Sequence, residues 1–453
     1  MTLLNPLFGT EPVQRIFSDA VRLQRMLDFE AALARAEAKV GVIPSSAVES
    51  IESKCRADSF LLNAIAEATA TAGNLAIPMV AQLTALVAAG DKNAARYIHW
   101  GATSQDAMDT GLILQLRDAL DFLENDLVQL GNILAALAKQ HRNTPVVART
   151  WMQHAVPTLF GVQVAGWLDA LLRHHARLAE TKKRVLVLQF GGAAGTLAAL
   201  GDRGLDVARA LAEELNLALP DVPWHSHRDR IAEVATTLAL CAGTLGKIAR
   251  DVALQSQTEI SELSEPAAEG RGGSSTMPHK RNPVSVAVAL SAAIRVPALT
   301  SAMLSAMVQE HERGLGGWHA EWETLPEIVQ LTAGSLHHMT EALKSLEVKP
   351  DRMLQNLEST QGLIFTEAAM MALAKHVGRH AAHQMVDAAS RRVLAEGKHL
   401  RSVLTQDSAV TRHLSAAELD AVFDSAAYTG VALQLIDRVL ATHQRLHRAT
   451  ERK

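Results

Sequence analysis

The chain has 453 residues, of which 48% are apolar and 4% aromatic, and its net charge is −4. This length and apolar content indicate a globular protein with two or three domains and exclude a disordered chain. The lack of any basic domain or run argues against nucleic-acid binding. Abundant Ala and Leu with few aromatic residues favour helix over sheet, so we predict an all-α fold.

The two cysteines, Cys55 and Cys241, have no metal or redox spacing, and Cys241 falls on an apolar helical seam. Such usage is typical of a reducing compartment. The N-terminal segment MTLLNPLFGTEPVQ lacks the basic start and apolar core of a signal peptide. The most apolar long stretch, 73–90, is interrupted by polar residues and a proline, so we predict a buried helix there. We therefore expect a cytoplasmic protein without a membrane span.

Taken in chain order, residues 11–40 predict a helix that stops at the Gly-Val-Ile-Pro segment 41–44. Residues 46–90 predict two or three more helices. The next segment, 97–110, reads YIHWGATSQDAMDT and breaks the helical periodicity. We call it the first motif segment. Because Thr or Ser before an acidic residue caps a helix well, the segment is the start of a helix, a binding site, or both. Its candidate residues are His99, Thr103, Ser104, Gln105 and Asp106.

The middle of the chain contains two long seams of apolar residues spaced alternately three and four apart, at 116–137 and 231–252. Similar apolar stretches lie near 155–180, 284–306 and 326–346. Seams of this kind predict helices that pack lengthwise, so we expect a long helical bundle. Seams of this length often bury against another subunit, which favours an oligomer.

Residues 148–157, ARTWMQHAVP, are the second motif segment and contain Arg149, Thr150, Trp151 and Gln153. His154 follows, and we place it on a helix that points it away from Trp151. As an isolated residue, His154 is more typical of a structural histidine than of a catalytic one.

Two further segments suggest a cofactor or a metal only weakly. Residues 185–196, VLVLQFGGAAGT, look like a dinucleotide-binding turn, but Phe190 stands where that pattern needs glycine, so we expect a small turn or hairpin. Residues 224–230, WHSHRDR, place two histidines two apart without a third ligand. We interpret them as the start of a helix, with Arg228 as a weak candidate for substrate binding.

The segment 270–283, GRGGSSTMPHKRNP, cannot form a regular helix or strand because of its glycines and prolines. Successive backbone N–H groups in such a turn can hold an anion, and Lys280 adds a cation. Ser274 could act as an alkoxide base, while Lys280 and Asn282 could hold a carboxylate or the enolate-like charge beside it. On composition alone, a solvated linker is the alternative.

After this loop, residues 311–322, HERGLGGWHAEW, depart from helical periodicity. Arg313 could bind a second carboxylate with its planar fork, or it could be a surface arginine in a helix break.

From about residue 352 the pattern changes to shorter amphipathic helices. We therefore predict three domains. An N-terminal helical domain covers 1–111, and a small helical domain covers 351–453. Between them, a central long-helix bundle covers 112–350 and contains the glycine-rich loop, 264–285, which we call the signature loop. The C-terminal helices are predicted at 363–376, 379–393, 416–423 and 431–439.

The string GSSTMPHKRNP strongly resembles the signature loop of the fumarase/aspartase superfamily. Its members catalyse β-elimination from substrates with a carboxylate beside the reacting carbon, or the reverse addition. The resemblance implies that Ser274 moves the proton, that Lys280 binds the carboxylate and that Asn282 is a further ligand. Both motif segments are similar to the other two superfamily regions, in the right order. They imply substrate contacts for His99, Thr103, Ser104, Arg149, Thr150 and Gln153.

This chain departs from the superfamily at Trp151, where the second region has a histidine that supplies a general acid. A reaction that expels nitrogen needs such a proton, whereas a carboxylate leaves as a stable anion because its conjugate acid has a pKa of about 4. The resemblance therefore favours the branch of cycloisomerases that close a lactone on a small tricarboxylate. The string at 318–322 resembles that branch too. We expect Trp151 to form an apolar wall, Arg313 to bind a carboxylate, and neither metal nor cofactor to be needed.

Two alternatives stay open. An adenylosuccinate lyase shares the His99 and Thr103-Ser104 version of the first region, but Trp151 disfavours it. A non-catalytic helical scaffold that descends from the superfamily is disfavoured by the intact serines, Lys280 and Asn282. The superfamily also implies a homotetramer in which each site is built from three subunits.

Overall fold

The computed structural model describes residues 3–266, 272–273, 276–277 and 279–450, with side chains as far as 446. The helices α1 to α19 in this part of the chain span Asn5–Phe8, Glu11–Ile16, Asp19–Val40, Ser46–Glu52, Leu62–Ala72, Ala76–Ala88, Ser104–Gln140, Phe160–Val185, Gly204–Leu215, Asp229–Gln255, Val284–Ala306, Gly317–Lys344, Pro350–Glu358, Thr366–Val377, Arg379–Glu396, Leu400–Thr405, Ser408–Thr411, Ala416–Val422 and Ala432–Thr450. The short strands β1 to β4 span Pro145–Thr150, Gln153–Leu159, Leu263–Ser264 and Glu347–Val348. The predicted all-α class is confirmed.

The chain divides into two compact units. The first comprises Met1–Leu127, His174–Gly246 and Val288–His337, and the second comprises Val128–Arg173, Lys247–Ala287 and His338–Lys453. Five long helices, α7, α8, α10, α11 and α12, have residues in both units. The division into three domains at residues 111 and 350 stays a prediction.

In the first unit, the N-terminal helices follow the sequence pattern with one interruption. The predicted helix 11–40 is two helices, because Ser18 begins α3 by accepting the Val21 N–H on its hydroxyl oxygen. Gly41, with φ +81°, ends α3 in the left-handed conformation that glycine adopts readily. Helices α4, α5 and α6 account for 46–90. The predicted helix in the apolar stretch 73–90 is α6, which buries one face, while Ile77 on its other face is half exposed.

The two predicted apolar seams lie on α7 and α10, and their residues are buried. Cys241 belongs to the α10 seam, and burial raises the pKa of its thiol to about 12. Helix α11 has the predicted bounds, but Ile294 and Leu304 on it are exposed. By length and composition alone, α10 and α11 would be apolar enough to cross a membrane, a test that buried core helices also pass.

Glu37 on α3 is a buried acid that accepts no hydrogen bond from the described residues. Burial, helped by the negative charge of Glu30, raises the pKa of Glu37 from 4.5 to about 9. The folded chain therefore keeps a proton that the unfolded chain releases, so Glu37 lowers stability progressively as the pH rises through this window.

Changing Glu37 to Gln should remove this loss. Between pH 5 and pH 8 the wild type should lose up to about 4 kcal/mol of unfolding free energy relative to Glu37→Gln, because one proton is worth about 1.4 kcal/mol per pH unit. Urea unfolding of both proteins at pH 5, 6.5 and 8 measures the difference. The exposed Glu49→Gln serves as control and should follow the wild type. Parallel pH profiles for Glu37→Gln and the wild type would contradict the prediction.

Candidate active site

The first motif segment lies at the start of α7, in the first unit. The chain turns sharply at His99 and Gly101, which have φ +57° and +70°. The Thr103 N–H donates to Oδ2 of Asp106 at 3.0 Å, which is one half of a capping box. The segment is therefore the start of a helix, as expected, but the capping oxygen belongs to Asp106 rather than to a Thr or Ser hydroxyl.

Arg313, in the connection between α11 and α12, contacts the first motif segment directly. Its Nη1 donates to the Thr103 hydroxyl oxygen at 2.8 Å, and its Nη2 donates to the Ala193 carbonyl at 3.0 Å. No carboxylate within the described residues pairs with this guanidinium. The structure thus brings together two of the predicted carboxylate-binding residues, which lie 210 positions apart.

His99 is paired with Glu30 of α3, whose side chain is buried. Nδ1 of His99 lies 2.6 Å from Oε1 of Glu30. Burial lowers the pKa of His99, but the charge and hydrogen bond of Glu30, together with the charge of Asp106, outweigh it and raise the pKa above 6.5. His99 is therefore better suited to hold a carboxylate as a cation than to act as a base.

Changing Glu30 to Gln should lower the pKa of His99, since burial would then act almost unopposed. In the wild type, the His99–Glu30 pair stabilises the fold below pH 6.5 and loses that contribution as the pH rises through the raised pKa of His99. A titration of the His99 ring protons by NMR measures the shift, with Glu11→Gln as an exposed control on α2. An unchanged His99 pKa in Glu30→Gln would show that Glu30 does not hold the imidazolium.

The second motif segment forms a β-hairpin in the second unit, so the predicted helix at His154 was wrong. Strands β1 and β2 are antiparallel, with Arg149 opposite His154 and Thr150 opposite Gln153. Trp151 forms the two-residue turn with Met152, and their φ values of +50° and +65° fit a type I′ hairpin turn. The β-branched residues of 145–158 explain why strands form here.

Trp151 is 97% exposed at the tip of this hairpin. His154, on β2, is less exposed than Trp151. Burial and the nearby charge of Arg149, partly opposed by the charge of Glu262, lower the pKa of His154. Nδ1 of His154 is buried and has no hydrogen-bond partner within the described residues. A neutral, half-buried His154 fits the structural role that the sequence suggested.

Arg149 makes a bidentate ion pair with Glu262, which lies directly before β3. Nη1 and Nη2 of Arg149 donate to the two carboxylate oxygens at 2.9 and 2.8 Å. Asn356 of α13 donates to the same carboxylate at 2.8 Å. Val147 of β1 packs in the core that the C-terminal helices form. These contacts anchor the hairpin and occupy the Arg149 guanidinium.

The signature loop is described only in part, and Ser274 and Ser275 lie outside the described residues. The Asn282 N–H donates to the Gly272 carbonyl at 2.8 Å, which brings the two ends of the loop together. Gly272 has φ +67°, and a Cβ there would lie 2.5 Å from the Asn282 carbonyl oxygen, so only glycine fits. Lys280 is exposed, and Asn282 is partly buried.

The described site residues therefore fall into two groups. His99, Thr103, Ser104 and Arg313 belong to the first unit. The second unit holds Arg149, Thr150, Trp151, Gln153, Lys280 and Asn282.

Glu30 and Glu262, which hold His99 and Arg149, were not among the predicted residues of the site. An acid at an apolar position of a helix, as Glu30 is on α3, was the available signal. Arg228, a weak candidate for substrate binding, is instead buried in ion pairs with Asp109 and Glu321. Within the described residues, no group of three or more His, Cys, Asp or Glu side chains is placed to hold a metal.

A family model described as Lyase matches residues 9–298, and a model of the adenylosuccinate lyase C-terminus matches residues 362–439. The chain belongs to this lyase family, which confirms the superfamily inferred from the motifs.

Similar proteins with assigned activities cover nearly the whole chain. It is 56% identical over 444 residues to the 3-carboxy-cis,cis-muconate cycloisomerase of Pseudomonas aeruginosa, covering 98% of this chain and 97% of the relative. The enzyme of that name from Bradyrhizobium diazoefficiens is 54% identical, covering 98% of each chain. The crystal structure of the 3-carboxy-cis,cis-muconate lactonizing enzyme of Pseudomonas putida matches with a TM-score of 0.94 and 51% identity. It covers 98% of this chain and 99% of that chain.

Proposed function

We propose that the protein converts 3-carboxy-cis,cis-muconate to the γ-lactone 4-carboxymuconolactone, a step of aromatic catabolism through the β-ketoadipate pathway. The observation that carries the proposal is the 56% identity with a 3-carboxy-cis,cis-muconate cycloisomerase over nearly the full length of both chains. The site adds a chemical reason, since Trp151 stands where related lyases that expel nitrogen need a general acid.

The reaction is an isomerisation in which no atom is lost. An oxygen of one substrate carboxylate forms a bond to a carbon of a double bond that another carboxylate activates. The π electrons of that double bond move to its other carbon, beside the activating carboxylate, as an enolate-like anion. This carbon then takes one proton, and the lactone ring is complete.

The loop residues act on the developing charge. Ser274 donates the proton to the anionic carbon, which requires its hydroxyl to be held close to that carbon. Lys280 and Asn282 stabilise the enolate-like carboxylate by charge and hydrogen bonding. The Asn282 N–H donates to the Gly272 carbonyl, so Asn282 lies beside the glycine-rich start of the loop.

The remaining residues bind the three carboxylates of the substrate. His99, favoured as a cation by Glu30, and Arg313, without an acidic partner in the described part of the chain, supply positive charge. Thr103, Ser104, Thr150 and Gln153 supply hydrogen bonds, and Trp151 supplies an apolar wall. Arg149 acts by holding the hairpin that carries three of these residues, since Glu262 occupies its guanidinium.

The protein acts as a cytoplasmic homotetramer with sites shared between subunits, and it needs no metal or cofactor. The 97% exposure of Trp151 in the single chain supports a site that other subunits complete. The exposed apolar residues Ile294 and Leu304 of α11 support burial against another copy.

The position of the added hydrogen tests the reaction class. In D2O the product should be the lactone, with one deuterium on the carbon beside the side-chain carboxylate, detected by NMR. A lactone without deuterium would contradict protonation of a carbanion by an exchangeable group. Release of fumarate from adenylosuccinate, with no lactone from the muconate, would favour the adenylosuccinate lyase alternative, to which the match at 362–439 lends some support.

A further inference from the structure

A buried carboxylate joins the segments that carry the substrate-binding residues of the first unit. Asp106, on the first turn of α7, is fully buried. Its Oδ2 accepts the backbone N–H groups of Thr103 and Gly192 at 3.0 and 2.9 Å. Its Oδ1 accepts the N–H of Gly191 at 3.0 Å and lies 2.7 Å from Nε2 of His225. One side chain thus connects three segments of the chain, which we call the Asp106 junction.

Two positions of the Asp106 junction, Gly191 and Gly192, must be glycine because neighbouring atoms come too close for a side chain. Gly192 has φ +68°, and a Cβ there would lie 2.8 Å from the carbonyl oxygen of Gly101. A Cβ on Gly191 would lie 2.7 Å from Cβ of Pro223. Only glycine lets the two N–H groups approach the carboxylate in this packing.

Arg313 contacts two of the segments that meet at the Asp106 junction. It donates to the Ala193 carbonyl, directly after the two glycines, and to the Thr103 hydroxyl. Asp106 fixes the backbone beside both of these acceptors. A shift of the Asp106 carboxylate would therefore move the Thr103 hydroxyl and the Arg313 guanidinium together.

We propose that Asp106 is a positioning residue that holds Thr103, Ser104 and Arg313 in the arrangement that binds the substrate carboxylates. This inference rests on the proposed function, in which those residues are substrate ligands. Asp106 is buried among N–H donors, so it acts through its neighbours and does not contact the substrate.

Asparagine at position 106 has nearly the same shape but replaces one acceptor oxygen by an NH2 group. Each carboxylate oxygen of Asp106 accepts at least one backbone N–H group. In either orientation of the amide, at least one of these N–H groups loses its acceptor and meets another donor. The junction must then shift.

The test is to measure kcat and KM for 3-carboxy-cis,cis-muconate in the wild type, Asp106→Asn and Gly192→Ala. In both variants we expect KM to rise on the order of 10- to 100-fold and kcat per folded molecule to fall less. Gly192→Ala keeps the carboxylate and disturbs the junction from the other side, so it decides the question if Asp106→Asn does not fold.

Asp109→Asn is the matched control. Asp109 lies one turn further along α7, is equally buried, and binds Arg228 and Trp318. Its variant should lower the thermal midpoint and leave KM unchanged. If Asp106→Asn and Gly192→Ala show only a smaller amount of folded, active enzyme and keep the wild-type KM, the positioning role is overturned. A wild type that does not turn over the muconate would instead overturn the proposed function, and the role of Asp106 with it.

Discussion

Replacing Ser274 by alanine should lower kcat for 3-carboxy-cis,cis-muconate by about 10²- to 10⁴-fold, the usual contribution of a positioned general acid. The carbanion would still form beside its carboxylate, but no positioned group would deliver the proton. KM should change much less, because the proposed carboxylate ligands, Lys280 and the residues of the two motif segments, remain. Steady-state kinetics from the loss of diene absorbance give both constants.

Ser275→Ala is the matched control for Ser274→Ala, since it makes the same change one residue further along the loop. We expect it to keep kcat within about tenfold of the wild type, because the resemblance assigns the proton to the first serine of the pair. Wild-type turnover in Ser274→Ala would remove Ser274 from the mechanism. Equal losses in the two variants would mean that the loop conformation, rather than one hydroxyl, is what matters.

Replacing Arg228 by methionine should cost about 3–5 kcal/mol of unfolding free energy, the usual penalty for removing one partner of a buried ion pair. Arg228 is 2% exposed and donates to Asp109 at 2.6 Å and to Glu321 at 2.9 Å. The centroid of the Trp224 ring lies 5.0 Å from Cζ of Arg228. Methionine fills much of the space but leaves two buried carboxylates without a counter-ion.

The stability lost in Arg228→Met should grow as the pH rises. Burial raises the pKa of Glu321, and the hydrogen bond and charge of Arg228 oppose it. Without Arg228 the pKa of Glu321 should rise further, so the variant should lose more stability at pH 8 than at pH 5.5.

Urea unfolding of the wild type and Arg228→Met at both pH values measures the effect of removing Arg228. Arg230→Met is the control, because Arg230 lies two residues further on, in the first turn of α10, and is partly exposed. It should cost less than about 1 kcal/mol. A loss below about 1 kcal/mol in Arg228→Met would show that the buried carboxylates find other partners.

The helices were predictable because their cause is local. Periodic apolar residues gave α7, α10 and the bounds of α11, and Gly41 marked the end of α3. The hairpin at 145–159 was missed because neither β1 nor β2 alternates strictly between apolar and polar residues, so the period-two signal of a strand is absent. Its turn, at Trp151 and Met152, also lacks the Asn or Gly that usually marks a type I′ turn.

Candidate residues of the site could be named from the sequence, but their partners could not. The contacts of Arg313 with Thr103, of His99 with Glu30 and of Arg149 with Glu262 join positions 69 to 210 residues apart. Such pairs depend on how helices pack, which no local pattern records. For the same reason, the sequence made Arg228 a candidate for substrate binding, whereas the fold buries it between two carboxylates.

The most direct test of the proposed function is the ultraviolet absorbance of 3-carboxy-cis,cis-muconate mixed with the purified protein in the presence of a metal chelator. We predict a rapid, enzyme-dependent loss of the diene signal, with the lactone as the product. An unchanged signal, together with cleavage of adenylosuccinate under the same conditions, would contradict the proposed function. It would also show that the loss of the histidine at Trp151 does not prevent the expulsion of nitrogen.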